Sequence, residues 1–216
     1  MSDTRLSSDL IVVVGRQFGS GGRKIGRMLA DEFGLAYYDK EVLSEAAQRL
    51  GFSQEIFSRY DEKRPSAFRS LLSNTFGVQD SFHQTPMSHE AIYTAQGKVI
   101  SELADEGGCV FVGRSADYIL RHRPGLVSIF LHAPVEHRAR MLVERGDEPD
   151  ITHATEHARK IDRNREEFYN YYTGRHWGHA DNYHLTLDTS LLGTEGTYSV
   201  IRTYIKGIID KSKNAR

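Results

Sequence analysis

Five short apolar runs punctuate the chain, at Leu10 to Val14, Ala36 to Tyr38, Cys109 to Val112, Val127 to His132 and His184 to Leu187. The first, Leu-Ile-Val-Val-Val, is rich in β-branched residues and lacks polar alternation, the pattern of a strand covered on both faces. Between the runs, apolar positions recur at helical spacing. Ile25, Met28, Leu29 and Phe33 precede a stop at Gly34; Ile92, Val99, Ile100 and Leu103 form a second set. Val135, Ala139 and Leu142 form a third, and Tyr198, Ile201, Ile205 and Ile208 a fourth. Strands alternating with helices predict an α/β fold: a five-stranded parallel sheet flanked by helices.

Two stretches interrupt the alternation. Residues 52–89 are mixed and polar, with Pro65 and Pro86, and read as a helical insertion. Residues 145–178 are dense in Arg, Glu, His and Tyr and read as a lid. The remaining segments, 8–51, 90–144 and 180–210, make the core, so the 216 residues form a single domain. A net charge of -1 gives no global case for nucleic acid or an acidic membrane surface, so any anion site must be local. The single cysteine, Cys109, lies in an apolar run and reads as a core residue, which fits a reducing cytoplasm. The longest early apolar run is far short of a membrane span.

After the first strand the chain reads Gly15-Arg-Gln-Phe-Gly19-Ser-Gly21-Gly22-Arg23-Lys24. Glycines let backbone N–H groups converge on an anion, and the following helix turns its positive end to the same place. Gly19, Ser20, Gly21, Gly22, Arg23 and Lys24 are therefore the candidate phosphate-binding residues. The usual pattern G-x-x-x-x-G-K-[ST] is not met, because no Lys-Ser or Lys-Thr pair follows the glycines. Arg23 or Lys24 must then supply the missing charge, and Ser20 or water the missing Mg²⁺ contact. A glycine-rich turn with no ligand is the competing reading.

The loop, followed by Gly34-Leu-Ala-Tyr-Tyr-Asp39, resembles the opening of nucleoside monophosphate kinases, and more closely the cytidylate kinase-like family. Cys109-Val-Phe-Val-Gly-Arg114-Ser-Ala-Asp117 is similar to that family's third strand and arginine-bearing turn. Ile129 to Arg140 resembles a strand running into an Arg-rich helix, and Lys160-Ile-Asp162-Arg163-Asn-Arg165 resembles the lid. The resemblance implies a P-loop kinase fold with an acceptor-binding insertion and a lid, using ATP and Mg²⁺ to phosphorylate a nucleotide or nucleotide-like small molecule. It also marks departures: the family's phosphate-loop lysine aligns with Gly22, an arginine aligns with Glu45, and an aspartate aligns with Ser115. Those departures leave the acceptor open, CMP included.

Asp39, Arg114 and Asp117 are the candidate acceptor-binding residues. Arg114 ends a strand at the edge where ligands bind in parallel sheets, and its guanidinium can fork onto a phosphate or pair with Asp117 or Asp39. Asp39 can hold acceptor hydroxyls or cap the next helix. In the lid, Arg159, Arg163, Arg165 and Arg175 exceed the neighbouring acids, and Arg159 and Arg163 join Arg23 and Lys24 as candidate catalytic cations. A solvated, ion-paired helix face is the alternative for that segment. His176, His179 and His184 lack a recognised ligand spacing for a metal. At the level of function, a phosphotransferase competes with a catalytically inactive nucleotide-binding sensor or regulator, which would equally explain the missing lysine.

Overall fold

The structure is a computed structural model, and it describes residues 9–49 and 89–214. The insertion expected over 52–89 lies outside them, apart from His89. The elements run β1 (Ile11–Arg16), α1 (Gly22–Phe33), β2 (Ala36–Tyr38), α2 (Lys40–Arg49), α3 (His89–Asp105), β3 (Cys109–Val112) and α4 (Ala116–Ile119). They continue as β4 (Leu126–His132), α5 (Val135–Glu144), α6 (Ile151–Thr173), β5 (Leu185–Asp188) and α7 (Gly193–Asn214). Every strand pairing is parallel, in the order β2-β3-β1-β4-β5.

The uninterrupted apolar run of β1 has its explanation in this layering. Ile11 and Val13 face one layer with Cys109 and Phe111, covered by Val99, Ile100 and Leu103 of α3. Val12 and Val14 face the other with Val110, Ile129 and Leu131, covered by Ile25 and Leu29 of α1 and Ile201 and Ile205 of α7. Among the described residues no helix is long and apolar enough to cross a membrane.

Two local differences from the sequence pattern shape the site. β1 does not stop at Val14: Gly15 and Arg16 stay extended and pair with Phe130 and Leu131 of β4. Arg16 is thereby part of the sheet rather than of the loop. Within 145–178, α6 is one continuous helix, opened by the Asp150 carboxylate accepting from the His153 backbone N–H at 2.9 Å and closed by left-handed Gly174. Its small buried residues Ala154 and Ala158 seat it against Ala139 and Leu142 of α5.

After β1 the chain crosses to β2, and after β3 it crosses the other way to β4, so the topology switches direction between these adjacent strands. Ligands in open parallel sheets bind at the carboxyl ends of the strands at such a point.

Candidate active site

The glycine-rich loop joins β1 to α1 there. Gly19 (φ 84°) and Gly21 (φ 82°) take left-handed backbone that glycine adopts without steric cost. The loop is fastened from its outer side. Buried Arg138 of α5 donates to the carbonyls of Ala133 (2.8 Å) and Phe18 (2.7 Å) and to the Asp162 carboxylate (2.7 Å). Asp162 also accepts from the Phe18 backbone N–H at 2.8 Å, tying α6 directly to the loop. Gly21 caps α1 without a side-chain hydrogen bond, and no acid occupies its first turn. The positive end of that helix is left to an anion.

A cleft of about 600 Å³ opens beside the loop, walled by the turn after β3 and by one face of α6. Gly19, Gly21, Gly22, Arg23, Lys24, Arg114 and Asp117 all line it, so the structure brings most of the predicted site residues together. Arg23 and Lys24 stand exposed at its edge. Arg23 pairs with Glu41 and lies 3.8 Å from Asp39, while Lys24 pairs with Glu195 at 3.0 Å.

Four predicted residues lie elsewhere. Ser20 is buried, and its hydroxyl is within hydrogen-bond reach of the Gln17 (2.9 Å) and Leu131 (3.2 Å) carbonyls, facing away from the cleft. Asp39 caps α2, accepting from the Val42 N–H at 3.2 Å. Arg159 and Arg163 are exposed and border a separate recess with Gln17, Arg138 and Glu166. The α6 guanidinium in the cleft is Arg165, in helical phase with Ile161 and Phe168. It donates to the Arg16 carbonyl at 3.2 Å and stands over the Phe18 ring at 5.7 Å. Lys40, Arg145 and Arg16 also line the cleft without having been anticipated. The phase of α6 relative to its buried stripe at Ala154, Ala158 and Ile161 is the sequence signal that separates Arg165 from Arg163.

On the wall formed after β3, the backbone is left-handed at three successive residues, Gly113 (φ 77°), Arg114 (φ 62°) and Ser115 (φ 53°). Non-glycine residues pay roughly 1–3 kcal/mol for such geometry, and residues held in it cluster at active sites and ligand clamps. Here it places Arg114 on the cleft wall at the end of β3.

Asp117 is buried one turn further on and accepts from the Tyr169 hydroxyl at 2.7 Å. Burial pushes its carboxyl up to about 6, against the opposing pull of the Tyr169 hydrogen bond. Because its folded value lies above the ordinary 3.8, ionising Asp117 opposes folding, so this contribution is favourable below that range and lost as pH rises through about 6. Asp117→Asn keeps an acceptor for Tyr169 and carries no charge. Its stability relative to the parent is expected to improve by about 3 kcal/mol from acidic to mildly alkaline pH, read from urea unfolding. A difference independent of pH would show that the carboxylate is not desolvated.

The family resemblance implies Mg²⁺, an ion held mostly by water and substrate phosphates with one or two protein groups. Ser20 is turned inward, and among the described residues no group of three His, Cys, Asp or Glu side chains could hold a metal ion. Phosphate groups do fit the cleft, given the uncapped helix end and the cations around it. Of the clustered histidines, His184 holds the sheet edge, its Nδ1 accepting from the Ser128 N–H at 3.0 Å.

The cytidylate kinase of Methanopyrus kandleri is 23% identical over 214 residues, covering 95% of this chain and 97% of that protein. An uncharacterized protein from Eubacterium ventriosum superimposes with a TM-score of 0.68 at 23% identity, over 91% of this chain and 98% of that one. Shikimate kinase from Acinetobacter baumannii, in complex with shikimate, superimposes with a TM-score of 0.51 at 17% identity, over 96% and 98% of the two chains. The parallel sheet with its glycine-rich loop is thus a P-loop kinase fold. The sequence profile of the cytidylate kinase-like family matches residues 11–191, and the chain belongs to that family.

Proposed function

We propose that the protein transfers the γ-phosphoryl group of ATP to a nucleotide or nucleotide-like small molecule. One observation carries the reading: a single cleft joins an uncapped, glycine-rich helix N-terminus on one wall to Arg114 and Arg165 on the others. The loop side suits donor phosphates, since backbone N–H groups and the helix dipole converge there. Arg114, held by strained backbone, suits an acceptor phosphate, and Arg165 the charge passing between the two. Phosphoryl transfer asks the protein for positioning and charge stabilisation rather than covalent chemistry, and Arg and Lys outnumber Asp and Glu along this cleft. The name of the M. kandleri relative and the kinase neighbours support the same class of reaction. A panel of nucleoside monophosphates, nucleosides and small phosphorylated metabolites tests it. One of them is expected to accelerate ADP release from ATP, whereas uniform basal release across the panel would count against transfer.

A second reading, a nucleotide-binding sensor without catalysis, draws on the pairing of Arg23 with Glu41 and Lys24 with Glu195, which offsets two loop charges. We further propose that residues 145–178 act as the cover of the cleft, with Asp162 passing its position to the loop through Phe18. Hydrogen exchange in α6 is then expected to slow when a bisubstrate analogue is added. Identical exchange with and without it would make this segment a fixed wall.

A further inference from the structure

We propose that Arg16 is the cation that neutralises the donor phosphates, in place of the lysine missing after the glycines; the assignment rests on the phosphotransferase reading above. Arg16 is the last residue of β1, at the switch point of the sheet, and its side chain passes two glycines. Its Cβ and Cγ lie 2.8 and 2.9 Å from where a Cβ on Gly22 would stand. Its guanidinium Nη1 lies 1.8 Å from where a Cβ on Gly113 would stand. A side chain at either glycine would collide with it. The bare glycines leave room for Arg16 to run from beneath the loop toward the end of β3, so its guanidinium stands where the loop wall of the cleft meets the Arg114 wall, between donor and acceptor.

Gly22 is the position at which a phosphate-loop lysine would begin, and the Arg16 stem occupies the space beside it. The cation enters from β1 instead of from α1. Arg165, donating to the Arg16 carbonyl at 3.2 Å, helps hold that point of the backbone. Arg23 and Lys24 follow the glycines on the exposed face of α1, where they pair with Glu41 and Glu195.

In the reaction, the acceptor oxygen forms its bond to the γ-phosphorus as the bond from that phosphorus to the β,γ-bridging oxygen breaks. The electron pair stays on ADP, and a hydroxyl acceptor releases its proton to solvent. Negative charge grows on the bridging oxygen, and a guanidinium in the cleft wall can meet it and a neighbouring phosphate oxygen with two parallel N–H groups.

The test measures ATP affinity and turnover in Arg16→Gln, Arg16→Lys, Gly22→Ala and the Arg23→Ala, Lys24→Ala double variant, with melting temperature and circular dichroism as fold controls. Arg16→Gln is expected to weaken ATP binding at least about tenfold and turnover about 100-fold or more, with Arg16→Lys in between. Gly22→Ala keeps every charge but pushes the Arg16 stem off its path, so it is expected to weaken ATP binding too, even should Arg16→Gln fail to fold. The Arg23, Lys24 double variant is expected to lose less than Arg16→Gln. Parent-like binding and turnover in Arg16→Gln and Gly22→Ala, or a larger loss in the double variant, would overturn the assignment. Absence of ATP binding by the parent protein would instead overturn the phosphotransferase reading on which it rests.

Discussion

Arg138→Ala is expected to cost about 3–5 kcal/mol of stability and to abolish ATP binding with it. Arg138 is 4% exposed and serves three acceptors at once: the Ala133 carbonyl, the Phe18 carbonyl and the Asp162 carboxylate. Removing it takes a donor from two carbonyls and leaves Asp162, among the described residues, with the Phe18 N–H and the more distant Arg165, 3.9 Å away. Burial already holds the Asp162 carboxyl above its ordinary range even with these partners in place. Without Arg138 its folded value rises further, so the variant's deficit is expected to grow as pH increases and to shrink in acid, where Asp162 is protonated in both states. Adding Asp162→Asn is expected to restore part of the stability but not ATP binding, because the anchor of the glycine-rich loop stays missing. Urea unfolding at two pH values and nucleotide titration measure both effects. A loss below about 1 kcal/mol would mean that the loop holds its shape without this anchor.

The second large effect is expected at Arg114, where activity and stability part company. Arg114→Gly removes the guanidinium assigned to the acceptor phosphate while relaxing a left-handed residue at φ 62°. Turnover is expected to fall about 100- to 1,000-fold, as for other preorganised catalytic charges. Stability is expected to stay within about 1 kcal/mol of the parent, because relief of strain offsets the greater freedom of glycine in the unfolded chain. Arg114→Lys retains charge and strain but loses the two-pronged geometry, and belongs between the two. Near-normal turnover in Arg114→Gly, combined with a stability loss of several kcal/mol, would make this arginine a structural residue of the turn.

Much of the fold was legible because the sheet is buried on both faces. A strand covered on both sides has to be apolar throughout, and the runs at Ile11, Cys109 and Val127 announce themselves against the 3.6-residue pattern of the helices. The loop was legible for a similar reason, since Gly19, Gly21 and Gly22 cluster between a strand and a helix. What escaped notice depended on side-chain direction. Gly15 reads as the start of a turn, yet it is extended and paired with Phe130, and this carries Arg16 into the sheet edge. Arg159, Arg163 and Arg165 are equivalent as charges; only their rotation about α6, set by Ala154 and Ala158 packing on α5, puts Arg165 in the cleft. Ser20 offered a hydroxyl at a plausible position, but neighbouring carbonyls claim it. Asp39 proved to be a helix cap, one of the two roles its place after β2 allowed.

The proposed activity moves a phosphoryl group between two bound molecules, which differs from merely holding a nucleotide or hydrolysing it. ATP labelled at the γ-phosphate, incubated with the protein and the acceptor that most accelerates ADP release, decides the matter by the fate of the label. Label is expected in the acceptor, in step with the ADP formed and dependent on Arg114. Label recovered only as free phosphate, or retained in ATP that nevertheless binds at the glycine-rich loop, would contradict transfer.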